Sequence, residues 1–179
     1  MKINELPKKI SVFPLSNFIM FPGTTVPLNI FEPRYLQMVN DSMKNNRMIG
    51  MIQPKKSGML KKPDLYEVGC MGKITSFNET EDGRILIILN GVCRFKIISE
   101  IKTDKLYREC NVEYTDFSDD MSQKSNEVNF NDLSIIMENM KKFFKKQGYI
   151  VNLKDLEKKD LNQTLNDLSM ASPFSLEEK

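Results

Sequence analysis

Up to about residue 116 the apolar positions fall in short β-like runs, and beyond about residue 128 they recur at helical spacing, with a polar stretch between. Lys9–Leu15 opens the β-rich part. The span Phe13–Tyr35, FPLSNFIMFPGTTVPLNIFEPRY, then gathers four prolines, one glycine and five aromatics. Proline fixes φ, lacks a donor and restrains the residue before it, so each X-Pro pair marks a strand edge, a turn or a helix start. Pro22-Gly23 predicts a tight turn. Thr24–Ile30 is rich in β-branched residues and predicts a strand, with Pro27 tolerated at an edge or bulge. Pro33 suits the first turn of a helix, whose face carries Leu36, Val39 and Met43 with Tyr35 and Met38 beside them. The unbroken apolar run Phe18-Ile19-Met20-Phe21 reads as core or barrel lid, with a peptide-contacting patch as the alternative.

Arg47–Gln53 returns as a strand. Pro54–Asp64 is a loop by composition, and its Met59-Leu60 pair, framed by lysines, is either solvated or a mobile binding lip. Leu65–Asn78 predicts a long strand with Gly69 and Gly72 at bulges or close approaches. Asp82-Gly83 predicts a hairpin corner. Ile85–Leu89 reads as a strand buried on both faces, ended by a turn at Asn90-Gly91. Beyond it, Cys93, Phe95 and Ile97 alternate with Arg94, Lys96 and Ile98, one dry face and one wet. Leu106–Tyr114 completes the set. Five or six strands with one early helix predict a closed or nearly closed β-barrel, because an open sheet would leave adhesive edges.

Residues 117–127, FSDDMSQKSNE, have the short polar residues of a linker. The remainder of the chain is helical: Asn131 or Asp132 can cap a helix with the stripe Leu133, Ile136, Met137, Met140, Phe143 and Phe144, stopped at Gly148. Asp160 and Gln163 form a capping box for a second helix with Leu161, Leu165 and Leu168 inward. Ser175 and Glu178 would cap a third, of which almost nothing is present, so the natural protein is expected to be longer. The expected division is a β-domain over 1–116, a linker over 117–127 and a truncated helical subdomain over 128–179.

Charge changes this picture little. Twenty-six basic and 24 acidic residues give a net +2, no broad field for nucleic acid or an anionic membrane. Cys70, Cys93 and Cys110 include no CxxC pair and leave an odd thiol, which points to a reducing cytoplasm rather than a disulfide framework. Histidine is absent, which removes His-dependent triads and most zinc sites. The charged N-terminus lacks the apolar core of a secretory signal, and no apolar run is long enough for a membrane span. No phosphate loop or GxSxG elbow occurs, and the acidic pairs Asp119-Asp120 and Glu81-Asp82 sit in turn or linker sequence, where solvation is the default. No cofactor is expected.

Three blocks, Phe13–Tyr35, Leu65–Ile74 (LYEVGCMGKI) and Asp82–Ile98, together resemble the N-terminal domain of the Lon protease family in a stand-alone form without ATPase or peptidase modules. The resemblance implies an α+β chain: a mainly antiparallel PUA-like β-barrel with one early helix, then a small C-terminal helical bundle. It also implies a non-catalytic module that recognises unfolded or client polypeptides, and leaves open a separate protease or chaperone as a further partner. Binding exposed apolar segments needs an apolar groove or a free strand edge, for which Phe18, Met20, Phe21, Phe31, Met59 and Leu60 are the candidates. RNA binding is the alternative, because some PUA-like barrels bind RNA. Near-zero net charge argues against it, the lysines of Lys55–Lys62 and Lys141–Lys146 being the only concentrations. An enzymatic reading would rest on the family's protease name alone.

Overall fold

The computed structural model describes residues 3–55, 62–121, 130–146, 148 and 161–172. Contacts divide the chain into two units, Met1–Ser122 and Gln123–Lys179. The first holds strands β1 (Lys9–Pro14), β2 (Thr25–Ile30), β3 (Met48–Pro54), β4 (Leu65–Glu79), β5 (Ile85–Ile101) and β6 (Arg108–Glu113), with helix α1 (Pro33–Met43) between β2 and β3. They form one six-stranded sheet in the order β2-β5-β4-β3-β1-β6, and β6 also pairs with β5. Among the described residues β1 and β3 run parallel, and the other pairings are antiparallel. The mixed α+β class and the early helix are therefore as expected.

One face of the sheet buries Ile10, Val12, Ile52, Met71, Cys93, Phe95, Cys110 and Val112 as one core. Helix α1 begins after the extended residue Glu32, with Pro33 at its first position, and the Glu32 carbonyl accepts the Tyr35 and Leu36 amides at 2.9 Å each. Its buried face is Tyr35, Met38, Val39 and Ser42, a spacing of three, four and seven residues along one stripe. This face is rotated from the expected one, since Leu36 and Met43 are only half-buried. The cause is Tyr35, whose ring lies 4.1 Å from that of Phe13 and whose hydroxyl donates to the Pro14 carbonyl at 3.3 Å.

Strand β5 departs most from expectation. Ile85–Leu89 is not buried on both faces: Ile85, Ile87 and Leu89 are buried, whereas Leu86 and Ile88 are 43% and 38% exposed. Nor does the strand turn at Asn90-Gly91. It runs on to Ile101, its first part paired with β2 and β4 and its second with β4 and β6. Gly91 is required by a close approach, because a Cβ there would stand 2.1 Å from the Phe21 carbonyl oxygen. The true corner is Gly83, at φ +80°.

The polar stretch after β6 also departs from a solvated linker. Thr115–Met121 is a kinked 3-10 segment held on β5 through Asp120. That carboxylate accepts the Arg94 backbone amide and Nε at 2.9 Å each and Nη2 at 2.7 Å.

In the second unit, α2 (Phe130–Lys146) and α3 (Leu161–Ala171) bury Phe144 and Leu168 in one cluster, with Met137 and Met140 packed against it. Gly148, at φ +80°, stands just past α2, a conformation that suits a helix stop. The side chains of Leu133, Ile136 and Leu161, and the capping residues Asp160 and Ser175, lie outside the described residues.

Candidate functional site

Period-two geometry sets the outer face of the β2-β5-β4 part of the sheet. Pro27 stands opposite Ile88, and Asn29 opposite Leu86; on the other side of β5, Ser76 and Asn78 stand opposite the same two residues. Directly opposed residues share a face, so Pro27, Ile88 and Leu86 form an exposed apolar strip between Asn29, Ser76 and Asn78. Asn90 closes one end: its Oδ1 accepts both the Thr25 and Thr75 hydroxyls at 3.3 Å. Phe31, 63% exposed, lies just past the other end of β2. Beside this strip, β2 is the terminal strand of the sheet, paired only with β5 among the described residues.

A second exposed group lies on the opposite pleat face, because the register shift between Met71 and Gly72 places Val68 and Cys70 on the other side of β4 from Lys73, which stands opposite Asn90. Val68 stands opposite Lys96 at the end of their ladder, and two residues further along each strand come Tyr66 and Ile98, 51% and 57% exposed. Next to it, Arg94 pairs with Cys70 and carries the Asp120 contact of the 3-10 segment.

The residues singled out from the sequence do not converge. Phe18 and Phe21 are half-buried, and Met20, 5% exposed, offers a ligand almost no surface. Their segment is tied down by backbone contacts: the Thr24 hydroxyl donates to the Phe21 carbonyl at 2.6 Å, and the Gln53 amide, oriented to satisfy its neighbours, donates to the Phe18 and Leu15 carbonyls at 3.1 and 2.8 Å. Phe31 is exposed but sits beyond the far end of β2, six strand residues or roughly 20 Å away. Met59 and Leu60 lie outside the described residues. Leu86 and Ile88 were missed because a continuous apolar run carries no alternation to show which face is wet.

Polar chemistry is concentrated elsewhere, in a cleft of about 260 Å³ lined by Lys9, Ser11, Asp41, Asn45, Lys105 and Glu109 among others. Glu109 is buried there between Lys9 at 3.1 Å and Lys105 at 3.0 Å. Burial pushes its carboxyl up, but the hydrogen bonds from Lys105 and Lys9 outweigh that and hold it below the usual range. Tyr107 donates to Asp41 at 2.8 Å. Each acid has a basic or hydroxyl partner, so the cleft reads as an ion-pair seam joining α1, β1 and β6. Asp120, expected in a solvated pair, instead has a nearly buried side chain.

The three thiols are free and buried. Burial first, then the Asp120 carboxylate, pushes the Cys93 thiol up to about 11; burial lifts Cys110 likewise to about 11. Neither is a poised nucleophile. Among the described residues no group of three or more Cys, Asp or Glu side chains could hold a metal ion, and no helix is long and apolar enough to cross a membrane.

A family model described as the ATP-dependent protease La (LON) substrate-binding domain matches residues 9–179. Among curated proteins, a Lon protease of Desulfosudis oleivorans is 30% identical over 105 residues, covering 56% of this chain and 13% of that protein. A Lon protease of Flavobacterium johnsoniae is 23% identical over 143 residues, covering 79% and 17%. The chain thus spans only 13–17% of the length of these relatives. The N-terminal domain of the Mycobacterium avium complex Lon protease superposes with a TM-score of 0.62 at 12% identity, over 93% of this chain and 84% of that one. A Lon N-terminal domain protein from Xanthomonas campestris does so with 0.57 at 21%, over 92% and 99%. At these identities the likeness concerns the fold alone.

Proposed function

The chain belongs to the LON substrate-binding domain family, and from that premise we propose that it is a non-catalytic module that binds exposed apolar segments of unfolded or client polypeptides. The observation that carries the reading is the uncovered strip of Pro27, Leu86 and Ile88 on the outer face of β2 and β5. Apolar surface removed from water contributes about 25 cal/mol per Å², so a strip of this kind attracts any exposed apolar segment. Its rim is mostly neutral, with Thr25, Asn29, Ser76, Asn78 and Asn90, and exposed Lys73 stands opposite Asn90 at one end. An apolar strip on a sheet face selects for apolar character rather than for one sequence, which suits a module meeting varied clients. One lysine among neutral residues gives the RNA-binding alternative no support, since phosphate contacts require clustered Lys and Arg.

The return of β6 onto β5 supports reading the first unit as a closed PUA-like barrel that carries recognition, with the helical unit as an appendage. Three free thiols fit a reducing cytoplasm. Transfer of clients to a separate protease or chaperone belongs to the same reading.

The test is fluorescence anisotropy with a reduced, alkylated and permanently unfolded protein as ligand. The double variant Leu86→Asp and Ile88→Asp is expected to bind at least about tenfold more weakly, because two charges would be desolvated on contact, while its thermal unfolding stays within a few degrees of the parent. Unaltered affinity would rule the strip out.

A further inference from the structure

The strip adjoins a strand edge whose backbone phase is fixed by one hydrogen bond. The Gly91 amide donates to the Thr24 carbonyl at 2.8 Å, and Thr25 stands opposite Asn90 in an unshifted ladder. In an antiparallel ladder the bonded and non-bonded pairs alternate. Thr24, Val26, Leu28 and Ile30 therefore aim their backbone groups at β5, and Thr25, Pro27 and Asn29 aim theirs away from the sheet. Pro27 thus occupies a position where its missing donor costs the β2–β5 ladder nothing. The open edge presents two amide donors, on Thr25 and Asn29, and three carbonyl acceptors.

We propose that this edge of β2 binds its client by strand addition: an extended, uncharged, apolar segment pairs antiparallel with Thr25–Asn29. The inference rests on the reading of the chain as a polypeptide-binding module and specifies how that module holds its ligand. Three features select this occupant. First, β2 carries no charged residue, and of the devices that keep edges unpaired it has only Pro27, which removes one outward donor and leaves two amides and three carbonyls free to pair. Second, residues opposite Thr25, Pro27 and Asn29 place their side chains on the same outer face as Leu86 and Ile88, so alternate apolar side chains of the incoming strand extend the strip. Third, Pro27 disfavours a second copy of this chain. Antiparallel self-pairing would bring one proline from each edge and lose two donors, where a foreign strand loses one.

The geometry predicts which amides of the ligand matter. In the antiparallel arrangement, ligand residues whose side chains lie on the strip also direct their N–H groups at β2; the intervening residues direct theirs to solvent. The probe is an end-capped, fluorescein-labelled octapeptide of alternating valine and serine, bound to the full chain and read by anisotropy. N-methylation of its two central valines is expected to weaken binding at least tenfold. N-methylation of its two central serines, which imposes the same conformational bias, is expected to change it less than threefold. On addition of the unmethylated peptide, hydrogen exchange at the Thr25 and Asn29 amides should slow at least tenfold while Leu28 is unchanged. Equal behaviour of the two methylated peptides, or failure of the unmethylated one to bind, overturns strand addition. In either case, retained binding of unfolded protein leaves the polypeptide-binding reading standing, and its absence removes both.

Discussion

At Gly91 the β5 backbone passes so close to the Phe18–Phe21 segment that a methyl group would fall 2.1 Å from the Phe21 carbonyl oxygen. Because the obstacle is backbone, no side-chain rotation relieves it. Gly91→Ala is expected to cost about 1–3 kcal/mol, as overpacking does, read as a lower urea midpoint at unchanged slope. Gly83→Ala meets open space and faces only the strain of φ +80°, about 1–2 kcal/mol. A smaller loss at Gly91 than at Gly83 would refute this account. The pair also marks a limit of local reading. Asp82-Gly83 and Asn90-Gly91 are both turn-like dipeptides, yet only the first turns the chain. The second carries glycine for a neighbour some seventy residues away in sequence, and nothing in the dipeptide reveals that.

Elements show the same division. The strands were largely legible because each covers one run of apolar or β-branched residues between turn formers. Thr115–Met121 was not, because short polar residues look alike in a linker and in a segment pinned by one carboxylate. Asp120 holds this segment down through three hydrogen bonds from Arg94, whose guanidinium also lies 4.8 Å from the Phe117 ring. Beneath it the Cys93 thiol donates to the Phe117 carbonyl at 3.4 Å. Asp120→Ala is expected to lower stability by about 1–2 kcal/mol and to speed alkylation of Cys93 at pH 8 at least tenfold. Two causes act in the same direction. The cover loosens, and loss of the carboxylate lowers the raised thiol, so more thiolate is present at that pH. Peptide mapping of the alkylated product identifies the site, and an unchanged rate would show that the segment is held by other contacts.

Across the whole molecule, the described residues of the β unit share one core, from Ile10 and Val12 on β1 to Cys110 and Val112 on β6. A fragment ending at Ser122 is expected to unfold in urea as one cooperative transition, with far-ultraviolet and thiol-accessibility probes coinciding. Non-coincident transitions would show that this core depends on residues 123–179. The apolar strip and the β2 edge both lie in this unit, so the fragment should bind unfolded protein within about threefold of the full chain.

Local chemistry already contained the α+β class, most strand positions, the helix start at Pro33 and the stop at Gly148, because each depends on a residue's own φ preference or on spacing along one element. It also placed Pro27 at an edge or bulge, since proline cannot donate inside a ladder. Which flank of Ile85–Leu89 is wet could not be read that way, for Leu86 and Ile87 are chemically interchangeable. The choice was made by register, which buried Ile87 and left Leu86 and Ile88 uncovered beside a strand that pairs only with β5 among the described residues. Burial is a property of the assembled sheet, and so the surface offered to a ligand emerged only once six strands had taken their places.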